Sequence, residues 1–208
     1  MGKKMKKSFE WVNVSKSNFL KLLVISAGLS GCYLPINESN KDNACLYLYE
    51  NPYISHSIQS VTKDPKMQAL ILSIIKHESN NKANARPIKS WLIKSYIPWA
   101  YYSSARGYAQ STKSTWMDFK KTKNNHNAQR HSYYNNVAFI DWYLRTKGEF
   151  LPNHNYFYEA YFLYHDGRKG YHQNRFQRAS AMENYSNKVA NTAKKNQTEI
   201  ETCKKSIQ

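Results

Sequence analysis

The chain has 208 residues, a length that supports one domain with a hydrophobic core of ordinary size and argues against several domains. It contains 31 Lys and Arg against 14 Asp and Glu, so its formal net charge at pH 7 is +17. Such an excess of positive charge predicts a polyanionic partner or surface.

The N-terminus has the pattern of an export signal. Lysines within residues 3–7 precede a short apolar run, residues 22–29, which is too short to span a bilayer as a permanent helix. The run ends in Leu29-Ser30-Gly31-Cys32, which resembles the bacterial lipobox. That resemblance implies that residues 1–31 are removed and that Cys32 is acylated and anchors the chain. An ordinary secretory signal with a chance cysteine is the alternative.

Export changes the interpretation of the positive charge. Removing residues 1–31 takes away six Lys and one Glu, so 25 basic and 13 acidic residues remain, with a net charge of +12. In a bacterial envelope the polyanions are carboxylates of cell-wall peptides, phosphates of teichoic acids or lipopolysaccharide, and lipid headgroups. The export signal therefore argues against nucleic acid as the partner. Tyr33, rather than Asp, follows the cysteine, which by the lipoprotein sorting rule implies the outer membrane, facing the periplasm.

Residues 32–43 are polar and aperiodic after the lipidated cysteine, which predicts a tether followed by a domain over residues 44–208. Residues 44–53 are predicted to be a short packing segment. Cys45 and Cys203 remain near opposite ends of the mature chain. In an oxidising compartment they most simply pair and tie the C-terminal helix to the start of the domain. Two free buried thiols are the alternative.

The next segment predicts an amphipathic helix that ends on a carboxylate. Asp64 is the expected N-cap and Pro65 the first helical residue, and Asn80-Asn81 is a plausible stop. One face carries Met67, Leu70, Ile71, Ile74 and Glu78. Partial burial of Glu78 would raise its pKa, as a general acid requires. A Glu that only points at water or at an Arg is the alternative.

Residues 81–106 lack a clear period but are rich in aromatic and basic side chains. Aromatic faces stack on sugar rings and basic groups bind carboxylates, so a glycan cleft is one interpretation, and packing of the loop is the other. The side chains are Trp91, Tyr96, Trp99, Tyr101 and Tyr102, with Arg86, Lys89, Lys94 and Arg106.

Four further helices are predicted downstream. The first follows a cap at Ser111 or Thr112, the second carries a stripe from Tyr133 to Leu144, and the third runs from Tyr156 to about His165. A glycine-rich turn over residues 166–171 and a last helix over about residues 175–196 follow. No strand pattern or internal repeat is present, so the expected fold is mainly α.

The motifs of several enzyme classes are missing. The seven His residues show no metal-binding spacing, and no nucleophile elbow, phosphate-binding loop or dinucleotide fingerprint occurs. Neither a metal nor a cofactor is expected. A carboxylate is left as the catalytic group.

Three short motifs occur in a characteristic order. They are Lys76-His77-Glu78-Ser79, then Gly107-Tyr108-Ala109-Gln110, then the segment from Ala160 to Gly167 with Gly170-Tyr171 behind it. Together they resemble the lytic transglycosylase SLT domain, a goose-lysozyme-like helical fold that cleaves peptidoglycan, over roughly residues 60–175. The expected architecture is thus a single lysozyme-like, SLT-type helical domain after a lipoprotein signal peptide.

The resemblance implies that Glu78 is the single catalytic acid and base. It would protonate the glycosidic oxygen between N-acetylmuramic acid and N-acetylglucosamine, then take the proton of the C6 hydroxyl as that group closes onto C1. The product is a 1,6-anhydromuramyl end. Most glycosidases need a second carboxylate. Asp118 and Asp141 lie on predicted helices, so Asp166 is the remaining candidate for a second catalytic carboxylate.

The resemblance also implies substrate contacts. Ser79 would orient the site or its substrate near Glu78. Residues 107–110 would form the opposite wall of the cleft, where Gln110 would be the polar contact and Gly107 would let the backbone approach the sugar. His165 stands where the family has an Asn that contacts the N-acetyl group, and an imidazole can also donate one hydrogen bond. The remaining expected site residues are Tyr108 and Ala109 in the wall, Tyr164 hydrogen-bonded near Glu78, and Tyr171, which lines the cleft or packs.

Three functions are compatible with this interpretation. The first is a monomeric, lipid-anchored lytic transglycosylase that binds peptidoglycan strands. A hydrolytic lysozyme of the same fold differs from it only in its product. A cell-wall-binding lipoprotein without catalysis is the third, and the intact Glu-Ser and Gly-Tyr-Ala-Gln motifs argue against it.

Overall fold

The computed structural model describes residues 36–87, 103–147, 155–174 and 180–207. All elements below belong to the unit Asn37–Gln208. Within the described ranges seven helices occur and no strand, apart from an isolated bridge between Arg106 and Ser111, so the predicted mainly α fold is confirmed. The helices are α1 (Ala44–Glu50), α2 (Pro52–Val61), α3 (Pro65–Ser79), α4 (Lys113–Thr122), α5 (Tyr133–Lys147), α6 (Tyr156–Asn174) and α7 (Ser180–Ile207).

Helix α3 is the central element, and its predicted ends are confirmed. The Asp64 side chain accepts a hydrogen bond from the Lys66 amide at 3.0 Å, and Asn80 ends the helix in the left-handed conformation with φ 48°. Apolar residues are buried all around α3, because it contacts α2, α5 and above all α7. The end of this helix, which carries Glu78, is therefore fixed by packing on several sides.

The N-terminal part of the domain is more helical than predicted. The packing segment expected over residues 44–53 forms α1 and the start of α2, and α2 itself was not predicted. A disulfide joins Cys45 to Cys203, with 5.9 Å between their Cα atoms. The Glu199 side chain also accepts a hydrogen bond from the Ala44 amide at 2.7 Å. Helix α1 is thus attached to α7 covalently and by a hydrogen bond.

Helix α7 continues beyond its predicted end at Asn196. Val189, Ala193 and Asn196 are buried, and so is Ile200, which extends the same stripe by another turn. The side-chain Nδ2 of Asn196 donates to Ser73 Oγ at 3.0 Å, so this turn is also held against α3. The surrounding polar residues concealed the stripe in the sequence. The predicted start of this helix, residues 175–179, lies outside the described residues.

Helix α6 contains the predicted break, but not the predicted turn. Gly167 has φ 72° and ψ 170°, so the helix is interrupted there. The chain then becomes helical again as far as Asn174, and the expected glycine-rich turn over residues 166–171 is wrong beyond Gly167. The physical reason is that only Gly167 takes a positive φ, whereas Gly170 has helical geometry.

Helices α4 and α5 pack through an aromatic cluster whose ring centroids lie 5.2–5.6 Å apart, formed by Trp116, Phe119 and Phe139. Thr112, one of the two predicted caps, accepts a hydrogen bond from the Thr115 amide at 3.3 Å. None of the helices within the described residues is long and apolar enough to cross a membrane.

Candidate active site

Glu78 lies in the last turn of α3 and is half-buried. Its Oε1 accepts a hydrogen bond of 2.9 Å from the hydroxyl of Tyr161, a fully buried residue of α6. Because both partners sit on packed helices, the carboxylate is held in one position. This arrangement excludes the alternative of a Glu that points only at water.

Burial raises the pKa of the Glu78 carboxyl above its ordinary value. The Tyr161 hydrogen bond and the charge of His165 act in the opposite direction, but burial is the larger effect. A raised pKa increases the protonated fraction near neutral pH, and the Tyr161 hydroxyl stabilises the ionised form. The group is therefore suited to donate a proton and to accept one in turn.

Two adjoining cavities, of about 430 Å³ and about 420 Å³, form a cleft on either side of Glu78. Glu78, Pro87, Gln110 and His165 line both of them. The first cavity extends toward Tyr143 and the break in α6, and the second toward Ser79 and α7. A chain molecule lying along the cleft would thus pass the carboxylate with segments on both sides.

The wall opposite Glu78 is a loop, residues 103–111, which we call the loop wall. The Ala109 amide donates to Asn136 Oδ1 at 3.0 Å, and its carbonyl accepts from the Tyr164 hydroxyl. The side-chain Nε2 of Gln110 donates to the carbonyls of Ala85, at 3.0 Å, and Gly107, at 2.6 Å. Gln110 lines both cavities, but its NH₂ group is engaged in holding the loop.

Gly107 has a structural role that the sequence did not indicate. It has φ 83°, and a Cβ atom there would lie 1.8 Å from the carbonyl oxygen of Arg130. The structure therefore explains the glycine by a close approach to the Arg130 backbone, and the expected approach to the sugar stays a prediction. Gly107 shapes the loop wall.

The tyrosine whose hydroxyl contacts Glu78 directly is Tyr161, whereas Tyr164, which was expected to hydrogen-bond near Glu78, binds the opposite wall of the cleft. Tyr164 lines the first cavity, but its hydroxyl binds the Ala109 carbonyl. Tyr161, Tyr164 and His165 are spaced i, i+3 and i+4, so all three lie on one face of α6. That spacing was the available signal for Tyr161, which sequence reasoning missed.

Two further expected contacts are structural. Tyr108 is 2% exposed, packs edge-on against Tyr133 and lines neither cavity of the cleft. Tyr171 is buried beside Phe162, and its hydroxyl donates to Glu159 at 2.8 Å. Tyr171 also lies outside both linings, so it packs and does not line the cleft.

Ser79 and His165 lie at the cleft. Ser79 Oγ donates to the Ile75 carbonyl at 2.9 Å, and the residue lines the second cavity. His165 Nδ1 lies 2.8 Å from Asp166 Oδ1, which orients the exposed imidazole. Because Nδ1 is engaged, the ring would use Nε2 toward a ligand.

The described lining of the two cavities contains two carboxylates, Glu78 and Asp166. Asp166 is paired with His165, whereas Asp141 pairs with Arg145 at 2.8 Å, away from the cleft. Asp118 is exposed on α4 and belongs to neither lining. Among residues 36–87, 103–147, 155–174 and 180–207, no group of His, Cys, Asp or Glu could hold a metal ion.

Tyr185 of α7 is a cleft residue that the sequence analysis did not identify as a site residue. Its hydroxyl donates to the His77 carbonyl at 2.9 Å, and its ring lies 5.8 Å from that of Tyr161. It lines the second cavity and is 38% exposed. The loop aromatics Trp91, Tyr96, Trp99, Tyr101 and Tyr102, and the predicted lipidation site Cys32, lie outside the described residues.

Comparison with known proteins agrees with this geometry. The family model for the transglycosylase SLT domain matches residues 20–203, which includes both walls of the cleft and all seven helices except the last residues of α7. No curated protein and no solved structure gives a significant match. The chain therefore belongs to the transglycosylase SLT domain family, whose activity is of the lytic transglycosylase type on peptidoglycan.

Proposed function

We propose that the protein is a lytic transglycosylase that cleaves the β-1,4 bond between N-acetylmuramic acid and N-acetylglucosamine and leaves 1,6-anhydromuramyl ends. The observation that carries the proposal is the position of Glu78. Its carboxyl group has a raised pKa and accepts a hydrogen bond from Tyr161, and the cleft extends from it in both directions. Family membership supports peptidoglycan as the substrate.

Glu78 would act twice in this reaction. In its protonated form it donates a proton to the glycosidic oxygen, the bond from C1 to that oxygen breaks, and the N-acetylglucosamine-terminated part leaves. The cation that develops at C1 is stabilised by the substrate's own 2-acetamido group. The Glu78 carboxylate then takes the proton of the C6 hydroxyl as that oxygen bonds to C1, so the carboxyl regains its proton.

The setting of Asp166 supports a mechanism with one carboxylate. A hydrolase of two carboxylates needs the second as a base or nucleophile. Asp166 lies in the first cavity but is paired with His165 Nδ1 at 2.8 Å. We assign this pair to orientation of the imidazole toward the substrate's acetamido group, and we assign no proton transfer to it.

The location of the enzyme is part of the same proposal. We infer that Cys32 is acylated and that residues 33–43 link it to the domain at the periplasmic face of the outer membrane. The apolar run of residues 22–29 and the ending Leu29-Ser30-Gly31-Cys32 support this inference. The net charge of +12 after residue 31 suits a surface of cell-wall carboxylates. We expect the enzyme to act as a monomer.

The test is a digest of purified sacculi by the wild type and by Glu78→Gln, with products identified by mass spectrometry. We expect 1,6-anhydro ends from the wild type and a rate loss of roughly 10²- to 10⁴-fold in the variant. Asp118→Asn removes an exposed carboxylate outside the cleft and is the matched control.

Three outcomes would contradict the proposal. Full activity in Glu78→Gln would mean that the acid has been misassigned. Reducing ends in place of anhydro ends would make the protein a hydrolytic lysozyme. Binding to sacculi without release of any product would make it a wall-binding lipoprotein.

A further inference from the structure

A smaller cavity of about 190 Å³ adjoins the cleft and is strongly basic. We call it the basic pocket, and its cations are Arg86, Arg106, Lys113 and Arg130. It shares Ser103 and Ala105 with the first cavity of the cleft. A group bound in the basic pocket would therefore lie next to a strand bound in the cleft.

The basic pocket brings several positive charges together. No acidic side chain lines it among the described residues. Burial lowers the pKa of the Arg130 guanidinium, and the positive charges of Arg106 and Arg86 lower it further. The cations therefore repel one another, and an anion bound between them would be attracted to all of them.

Arg130 and Arg106 differ in what they already bind. Arg130 Nη1 donates to the carbonyls of Ser104, at 2.8 Å, and Ser111, at 3.1 Å, so this side chain holds the loop wall. Arg106 Nε is buried and has no hydrogen-bond partner within the part of the chain that the structure describes. A buried donor of this kind favours a ligand that supplies an acceptor.

The shape of the donors narrows the chemistry of that ligand. A guanidinium is planar and matches the two oxygens of a carboxylate or a phosphate, whereas neutral sugar hydroxyls offer no charge. In peptidoglycan the anionic groups beside the glycosidic bond are the carboxylates of the peptide stems, which are attached to the muramic acid residues. The basic pocket lies beside the cleft, where such a stem would project.

We propose that the basic pocket binds a carboxylate of the peptide stem and so makes the enzyme prefer strands that still carry peptides. The choice of ligand rests on the proposed function. Arg106 and Lys113 are the contacts to the stem, and Arg130 keeps the pocket in shape. Phosphates of other envelope polymers have related chemistry, and the test below separates them from carboxylates.

The first test compares two substrates: peptide-bearing strands, and strands from which an amidase has removed the peptides, which leaves a lactyl carboxylate on each muramic acid but no stem carboxylate. We expect the wild type to cleave the first with kcat/KM about tenfold higher, as a charge-assisted contact would give. Arg106→Gln combined with Lys113→Gln should bring that ratio to about one. Lys121→Gln makes the same change on the exposed surface of α4, outside the pocket, and should keep the wild-type ratio.

An equal rate of the wild type on both substrates, or an unchanged ratio in the double variant, would overturn the proposal. Thermal unfolding shows whether the double variant is folded. If Arg106→Gln prevents folding, Lys113→Gln is tested alone, because Lys113 is exposed. It should also lower the ratio of kcat/KM on peptide-bearing strands to kcat/KM on stripped strands.

The second test is independent of catalysis. Free stem peptide is titrated calorimetrically into the wild-type protein, and its affinity should fall about tenfold in the double variant and decrease with salt. If the protein binds the peptide but yields no anhydro products, the assignment of the basic pocket holds and the proposed reaction is contradicted. If it yields anhydro products but does not bind the peptide, the proposed reaction holds and the assignment of the basic pocket is contradicted. Inorganic phosphate that binds more tightly than the peptide would overturn the assignment to a carboxylate.

Discussion

The two walls of the cleft differ in what their side chains do: on one wall they face the cavity, and on the other they hold the backbone of a loop. On one wall, side chains from helices α3, α6 and α7 reach the cavity, namely Glu78, Tyr161 and Tyr185. On the loop wall, side chains from elsewhere bind the backbone of the loop. Asn136 accepts a hydrogen bond from the backbone N–H of Ala109, and Tyr164 donates one to its carbonyl. The Arg130 guanidinium donates to two other carbonyls of the loop.

This difference shows that a motif of an enzyme family can specify shape as well as chemistry. Within Glu78-Ser79 the carboxylate itself faces the cleft, on a helix that is fixed by packing. Within the motif of residues 107–110, Gly107 is required by a neighbouring carbonyl, and Tyr108 is turned into the core. Substitutions in the loop wall should therefore affect stability first, and substitutions beside Glu78 should affect proton transfer first.

The largest expected effect is that of Gly107→Ala on the loop wall. The new Cβ would lie 1.8 Å from the Arg130 carbonyl oxygen at a residue with φ 83°, so the loop must move. We expect a loss of about 4 kcal/mol in the free energy of unfolding, together with most of the activity. Urea denaturation at constant m-value measures the first quantity.

Gly167→Ala is the matched control for this substitution. It also has a positive φ, of 72°, but its Cβ would meet only the Tyr143 hydroxyl, at an ordinary 3.5 Å. Backbone strain alone should lower its unfolding free energy by about 1–3 kcal/mol. If the two variants were equally stable, the contact with Arg130 would not be the reason for glycine at position 107.

The next effect is that of Tyr161→Phe on the rate and its pH dependence. The Tyr161 hydrogen bond lowers the pKa of Glu78, so its loss should raise that pKa further. The proposed reaction needs protonated Glu78, so the alkaline limb of the kcat/KM profile should move to higher pH. We expect kcat to fall about tenfold, because the carboxylate that we propose as acceptor of the C6 proton is less well oriented.

Tyr164→Phe sharpens the comparison between the walls. Its hydroxyl binds the Ala109 carbonyl, so its loss should lower kcat/KM through the position of the loop wall. The alkaline limb should stay where it is in the wild type. A shift of that limb in Tyr164→Phe, but not in Tyr161→Phe, would exchange the roles assigned to the two hydroxyls.

The smallest effect is expected for Tyr171→Phe, outside the cleft. Loss of the hydrogen bond to Glu159 should lower the free energy of unfolding by about 1 kcal/mol and leave kcat/KM unchanged. Tyr49→Phe, at a residue that is 82% exposed, should change neither quantity. A higher KM for Tyr171→Phe at unchanged stability would place Tyr171 at the substrate after all.

Local signals in the sequence were sufficient to predict helix α3, which carries Glu78. Asp64 and Pro65 determine its start, Asn80 takes the left-handed conformation at its end, and the stripe between them ends at Glu78. These features act over one or two turns, so they can be read without knowledge of the fold. The raised pKa of Glu78 also followed from its place on that stripe.

Contacts between distant residues could not be predicted in the same way. Gly107 is explained by a carbonyl at Arg130, and nothing near Gly107 in sequence indicates that neighbour. Tyr161 and Tyr164 lie on the same helical face, so only the packing decides which hydroxyl reaches Glu78. In α6 the second glycine, Gly170, suggested a longer turn. The structure shows that only Gly167 leaves helical geometry, so the helix resumes directly after it.

The disulfide between Cys45 and Cys203 makes the stability of the fold dependent on the compartment. It closes a loop with a sequence separation of 158 residues, which in the chain-entropy model contributes up to about 5 kcal/mol. It fastens α1 to α7, and α7 supplies Tyr185 to the cleft and packs against the helix of Glu78. Reducing conditions would remove this contribution, so the chain reaches its full stability only where the disulfide can form. Material for the experiments above is therefore best produced by secretion or by oxidative refolding.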